Sequence, residues 1–140
     1  MSTSLPDRQY VGEDWYVQPP TGGLQLRVSD CNHCGKRWFP PRFACSSCAS
    51  HDLTQNRTGN TGIAYASSHV HVGSGAWPKS YVLSYIDIDR VRVLMHTDSD
   101  RSLDPDTPVR LVLGRIGTAD DVELWSYRAQ PDLITQESQR

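Results

Sequence analysis

All four cysteines of this chain fall between positions 31 and 48, as two Cys-x-x-Cys pairs: Cys31 with Cys34, and Cys45 with Cys48. A two-residue gap lets one tight turn aim two sulfurs at one point, and Gly35, just past the first pair, suits a turn that needs a positive φ. Two such turns facing each other supply four soft ligands for a tetrahedral ion, at Zn–S distances of about 2.3 Å. The ten residues 35–44 between the pairs form a connection shorter than the roughly 15–20 residues of the usual two-pair template, yet long enough for a short hairpin. Disulfides would need an oxidising compartment, and the polar start Met1-Ser2-Thr3-Ser4-Leu5-Pro6-Asp7-Arg8 is not a secretory signal. A redox Cys-x-x-Cys uses one pair rather than two. Four thiolates also hold iron, so zinc and iron both fit the pattern, with zinc the expected ion. Because every ligand is a thiolate, no coordination position stays open, which points to a structural metal and away from metal-assisted hydrolysis.

At 140 residues the chain suits one medium domain or two small ones. A formal net charge of −2 exerts no global pull toward nucleic acid or acidic membranes. An apolar content of 37% is low for one large core, so a metal-stapled module beside a small barrel is expected. No apolar run approaches the roughly 18–20 residues of a membrane span. These features lead us to expect a soluble protein of a reducing compartment, placed in the cytoplasm.

Residues 1–14 are polar and aperiodic, an expected arm that is mobile or orders on a partner. Pro19-Pro20 and Gly22-Gly23 exclude a long helix, and Leu24, Leu26 and Val28 then share one side of a strand entering the first cysteine turn. Trp38, Phe39 and Phe43 are expected to cover the metal, while Lys36, Arg37 and Arg42, with Arg27 nearby, make this stretch locally basic. Arg57 to Gly62 is rich in turn residues and marks a boundary. Five strands follow. The first, 63–72, turns Ala64, Ala66, Val70 and Val72 to one face, before a loop at 73–78. Strands at 80–88 and 91–97 are parted by a turn near Asp87–Arg90. Val109, Leu111 and Leu113 form the fourth strand, Gly114 and Gly117 bracket a turn, and Val122, Leu124, Trp125 and Tyr127 form the fifth. The fold expected is mainly β: a rubredoxin-like zinc ribbon followed by a five-stranded OB-fold barrel. Its limits are an N-terminal arm at 1–23, a ribbon at 24–57, a barrel at 58–128 and a tail at 129–140.

Other chemistry is weakly signalled. His69 and His71 share a strand face and with His96 would make a second metal site, although histidines scattered over strands are more often exposed or hydrogen-bonded. Asp87 and Asp89 read as turn acids. Ser74 in Gly73-Ser74-Gly75 lacks the nucleophile-elbow pattern, and no phosphate-loop or dinucleotide glycine pattern occurs. Single-stranded nucleic-acid binding is an alternative, with Tyr65, Tyr81, Tyr85, Trp77 and Trp125 as stacking platforms. The acids Asp87, Asp89, Asp98, Asp100, Asp104, Asp106, Asp120, Asp121 and Glu123 oppose it, since phosphate contacts supply most such affinity. A rubredoxin-like electron carrier is a further alternative and requires iron.

The two cysteine turns joined by Phe39-Pro40-Pro41-Arg42, then Thr58-Gly59-Asn60-Thr61-Gly62 and a five-stranded barrel, carry a more specific likeness. Over roughly residues 24–128 the chain resembles the zinc-ribbon OB-fold proteins associated with acyl-CoA enzymes, catalogued as domain of unknown function 35. The resemblance implies a non-catalytic accessory subunit that pairs with a thiolase-fold enzyme (a thiolase, acyltransferase or retro-aldolase), supports assembly and contacts the coenzyme A part of an acyl-CoA. It carries Cys31, Cys34, Cys45 and Cys48 over as metal ligands and no residue over as catalytic. From residue type and position, Lys36, Arg37 and Arg42 are expected to meet coenzyme A phosphates, and Trp38 or Phe39 the adenine ring or the partner. Two departures stand out. Family members often begin with helical segments, for which the Pro-Pro and Gly-Gly pairs leave little room, and many have an acidic-Gly hairpin turn where this chain has Asp87-Ile88-Asp89-Arg90.

Overall fold

The computed structural model describes residues 7–20, 22–71 and 80–132. Its strands are β1 (Arg8–Tyr10), β2 (Tyr16–Val17), β3 (Gln25–Cys31), β4 (Arg37–Trp38), β5 (Leu53–Arg57), β6 (Thr61–Val70), β7 (Tyr81–Ile88), β8 (Val91–Thr97), β9 (Pro108–Ala119) and β10 (Val122–Pro131). One turn of 3-10 helix, Glu13–Trp15, precedes β2, and the described residues contain no α-helix.

Two sheets result. In the first, β3 pairs antiparallel with β2, β4 and β5. In the second, the order β10-β8-β7-β6-β9 closes on itself because β9 also pairs with β10. Every seam of this five-stranded barrel is antiparallel except β8–β10, where Arg128 faces His96 and Ala129 faces Thr97 in parallel. Closure removes the free edges that a small sheet would otherwise expose. A zinc-ribbon fold followed by an OB-fold barrel is therefore the architecture.

Period-two patterning drives both parts. Val82, Ser84, Ile86 and Ile88 of β7, and Val91, Val93, Met95 and Thr97 of β8, point into the barrel, while Tyr85, Arg92 and Leu94 point out. Leu24, Leu26 and Val28 lead into or lie on β3, yet they pack in the same apolar cluster as Ala64, Ile86, Val93, Val109 and Leu111. Ribbon and barrel thus share one core. The link between them is short and tied down: Thr58 is buried, accepts the Leu26 N–H on Oγ1 at 3.1 Å, and gives its own N–H to the Leu26 carbonyl at 2.9 Å. Gly62 is required just beyond it, since a Cβ there would lie 2.7 Å from the Asp87 carbonyl.

Several elements depart from the sequence expectation. The first stretch is not a free arm: β1 lies parallel on β10, with Arg8 opposite Glu123 and Tyr10 opposite Trp125. Backbone hydrogen bonding to the part of β10 that lies outside its short seam with β8 orders it, which side-chain periodicity could not reveal. In β6 a bulge between Ala64 and Ala66 shifts the phase, so Ala64 is buried, Ala66 is exposed, and Ser67 turns inward to Ser84. Val72 and the loop at 73–78 lie outside the described residues. Gly114 and Gly117 do not bracket a turn but sit inside β9. A Cβ on Gly114 would fall 2.8 Å from Arg128 Cδ, and the register shift opposite Leu124/Trp125 lies beside Gly117. The β9–β10 turn is instead Asp120-Asp121, both at positive φ (50° and 65°). Finally, β10 continues past 128 to Pro131, because Ala129 is fully buried in the core.

Two-residue hairpins with both central φ positive favour Asn-Gly or Asp-Gly. Asp121→Gly is therefore expected to stabilise the chain by about 0.5–1 kcal/mol, the relief of a left-handed non-glycine less the added freedom of the unfolded chain. A raised urea midpoint is the expected reading; a lowered one contradicts the turn geometry.

Candidate metal centre

The two cysteine turns are near copies of each other. In the first, Gly35 N–H donates to the Cys31 carbonyl at 2.9 Å and Cys31 N–H to the Lys36 carbonyl at 2.9 Å. In the second, Ala49 N–H donates to the Cys45 carbonyl at 2.8 Å and Cys45 N–H to the Ser50 carbonyl at 2.8 Å. Each loop turns through a left-handed residue at the same place, Gly35 (φ 79°) and Ala49 (φ 65°). The glycine was legible from sequence. Ala49 gave no such signal, because a Cβ disfavours that conformation.

The loops bring the four Sγ atoms within 4.8 Å of one another, with Cys31–Cys48 and Cys34–Cys45 each at 3.6 Å. A tetrahedron with 2.3 Å bonds has edges of about 3.8 Å, so this donor set fits a single ion held by four thiolates. All four cysteines are free of disulfides; Cys31 and Cys45 are buried, Cys48 is half-buried and Cys34 is exposed. N–H donors surround the sulfurs, including Cys34 N–H to Cys31 Sγ at 3.5 Å and the Trp38 indole to Cys45 Sγ at 3.4 Å. The Cys34 N–H, working against burial, brings the Cys31 thiol below its ordinary range. Burial raises the Cys45 thiol, but the N–H groups of Cys48 and Ser47 and the Trp38 indole outweigh it and bring the group down to about 6. At Cys48 the Ser50 N–H pulls downward, yet burial and the neighbouring sulfurs prevail and push the thiol up to about 12. Four adjacent thiols cannot all ionise without a cation among them, and a divalent ion would supply that charge.

The residues around the centre divide by what they touch. Arg37 gives Nε and NH2 to Asp30 at 2.6 and 2.9 Å and NH1 to the Asp89 carbonyl at 2.9 Å. This guanidinium holds the Asp30 carboxyl below its ordinary range. Phe39 packs edge-on against Trp15 and Tyr127, each at 5.9 Å between ring centroids, and so ties the ribbon to the last barrel strand. Trp38 lies under the Arg42 guanidinium at 4.8 Å, and Arg42 also reaches Ser46 Oγ at 2.9 Å. Lys36 and Arg42 are exposed. Phe43, expected to cover the metal, does not: it is 92% exposed. The backbone of Arg42 is fastened to Ser29 Oγ and Gln55, which turns the next side chain outward.

The other candidates do not converge. Among the described residues no further group of three or more donor side chains comes together. His69 stacks on His71 at 4.1 Å, whereas His96 lies against Tyr81 at 5.4 Å. Of the two expected turn acids, Asp87 lies within β7 and pairs with Arg92 across the hairpin at 2.6 Å, and Asp89 is in the turn and accepts the Gly59 N–H. Tyr65 and Tyr85 are exposed on the barrel wall, Tyr65 beneath the Arg92 guanidinium at 3.4 Å, and Trp125 lies beneath Arg8 at 3.9 Å. Trp77 and Ser74 lie outside the described residues. A cavity of about 610 Å³ lined by Asp98, Leu103, Asp104, Arg110 and Asp132 shares no residue with the sulfur cluster.

No protein-family model matches this sequence, and no curated protein matches it. Solved structures do. A chain of the structure described as "Ltp2-ChsH2(DUF35) aldolase" aligns with a TM-score of 0.58 at 20% identity, covering 75% of this chain and 84% of that chain. The likeness is one of fold. No helix of the described residues is long and apolar enough to cross a membrane.

Burial, with the Arg128 charge adding to it, lowers the His96 imidazole below its ordinary value. The unfolded chain then binds this proton more tightly than the folded one, so stability falls as pH drops below about 6.5. Urea midpoints at about pH 7 and about pH 5 are expected to differ more in the wild type than in His96→Gln, by up to about 1.4 kcal/mol per pH unit in the window. Equal pH dependence in the two proteins contradicts the assignment.

Proposed function

We propose that this chain is a non-catalytic accessory subunit of a thiolase-fold complex acting on acyl-CoA substrates in the cytoplasm. The observation that carries the reading is the alignment of 75% of this chain with a chain of an aldolase structure whose description names a DUF35 component. Cys31, Cys34, Cys45 and Cys48 hold a structural zinc ion, which neutralises the thiolates and closes a ribbon at 24–57, beside a barrel that begins at 58 and whose last strand runs past 128 to Pro131. The zinc ion, with every ligand a thiolate, offers no position to substrate, so any chemistry belongs to the partner.

Coenzyme A presents phosphates and an adenine ring. On the ribbon, Lys36 and Arg42 are exposed cations, and Trp38 beneath Arg42 is an aromatic surface. Arg37 and Phe39 stand beside them, but their side chains already bind Asp30 and Tyr127 and serve to hold this surface in place. The phosphates therefore fall to Lys36 and Arg42.

Affinity capture of the tagged chain from its native cells, with mass spectrometry of what co-elutes, tests the accessory role. A near-stoichiometric thiolase-fold protein is expected; a lone chain contradicts the reading. In the isolated complex, Lys36→Ala with Arg42→Ala is expected to weaken acyl-CoA binding roughly tenfold at unchanged metal content. Unaltered affinity removes these residues from the coenzyme A site.

A further inference from the structure

The sulfur cluster is not isolated from the barrel. The β7–β8 turn, Asp89-Arg90, is fastened to the first cysteine loop by contacts running in both directions. From the ribbon, Arg37 NH1 donates to the Asp89 carbonyl at 2.9 Å. From the barrel, Arg90 NH1 donates to the Gly35 carbonyl at 3.1 Å, and its NH2 stands 3.5 Å from Asp30 Oδ1. Asp30, which also binds Arg37 and accepts from Asn56 at 3.2 Å, directly precedes Cys31, and Gly35 directly follows Cys34. The two residues on which the barrel turn rests therefore bracket the first pair of ligands. Both turn residues hold positive φ without being glycine, Asp89 at 43° and Arg90 at 73°. That strained pair is kept in place by these contacts and by the Gly59 N–H on the Asp89 carboxylate.

We propose that the β7–β8 turn is a positioning element of the metal centre. Arg90 and Arg37 couple metal loading of the first cysteine loop to the order of the barrel hairpin; the inference rests on the reading that the four cysteines hold zinc. The loop 31–36 must be closed for the Gly35 carbonyl to meet Arg90 and for Arg37 to meet Asp89. An ion bound by all four sulfurs draws both cysteine turns to one point and so closes it. Coupling of this kind is reciprocal: whatever the metal adds to the order of the turn, the turn adds to metal affinity. The hairpin also carries Tyr85 and Leu94 on its outer wall, so the state of the metal reaches a surface outside the ribbon.

Zinc affinity of the full chain, measured by competition with a chromophoric chelator, tests the coupling. Arg90 is 60% exposed, so Arg90→Ala opens no core. It is expected to weaken zinc binding about fivefold, the lower end of typical couplings, and Arg37→Ala more. Arg92→Ala, on the same hairpin but paired with Asp87, is expected to leave zinc affinity unchanged. Amide hydrogen exchange supplies the reverse reading: stripping zinc from the wild type should speed exchange at Ile88–Val91, and Arg90→Ala should show fast exchange there even when loaded. Wild-type zinc affinity in Arg90→Ala, or turn exchange indifferent to zinc, overturns the coupling while the zinc ribbon stands. A wild-type chain that binds no zinc overturns both.

Discussion

Four sulfur atoms gathered within 4.8 Å of one another are the constraint on which the rest of the ribbon depends. Strands β3, β4 and β5 offer few apolar side chains, and the outward faces of β3 and β5 are polar. A module of this size and composition buries too little to hold itself closed. The backbone prepares the site by aiming N–H groups at the sulfurs, which lowers two of the thiols, but burial and the neighbouring sulfurs push the Cys48 thiol the other way. A cation resolves that conflict. A site with every ligand supplied by the chain leaves an ion no open position and so suits a structural metal.

The second dependence is the core that ribbon and barrel share. Leu24, Leu26 and Val28 on one side meet Ile86, Val93 and Leu111 on the other, and Phe39 reaches Tyr127 on the closing strand. The fixed link at Thr58 and the ion pairs around Asp30 complete the junction. The two parts therefore present their surfaces in a fixed mutual arrangement. The exposed cations Lys36 and Arg42 and the exposed barrel side chains Ile63, Tyr65, Tyr85 and Leu94 are available on this frame.

Much of this was legible in the sequence, and the reasons differ by element. The metal cluster was readable because ligand spacing is local: two residues between sulfurs permit little else. β7 and β8 were readable because each buries one face, so alternation survives intact. Alternation failed wherever a bulge intervened. One extra residue near Tyr65 exposes Ala66, and another near Ile116 lets β9 run through both of its glycines. The pairing of β1 with β10 is made by backbone groups and leaves no mark in side-chain pattern. Phe43 and Arg37 show the remaining limit. Residue type suggested a metal cover and a phosphate contact, but Ser29 turns one outward and Asp30 occupies the other. Such partners are fixed by tertiary geometry across β3, which spacing along the chain does not encode.

The measurement that bears most directly on the central claim is the metal content of the native chain, purified without added metal and analysed for zinc and iron alongside its visible spectrum. One zinc ion per chain in a colourless protein, lost in Cys34→Ala together with ribbon order, is the result the account predicts from its single sulfur cluster. Stoichiometric iron with visible absorption would move the centre to electron transfer. A metal-free chain whose ribbon stays folded would contradict the account outright.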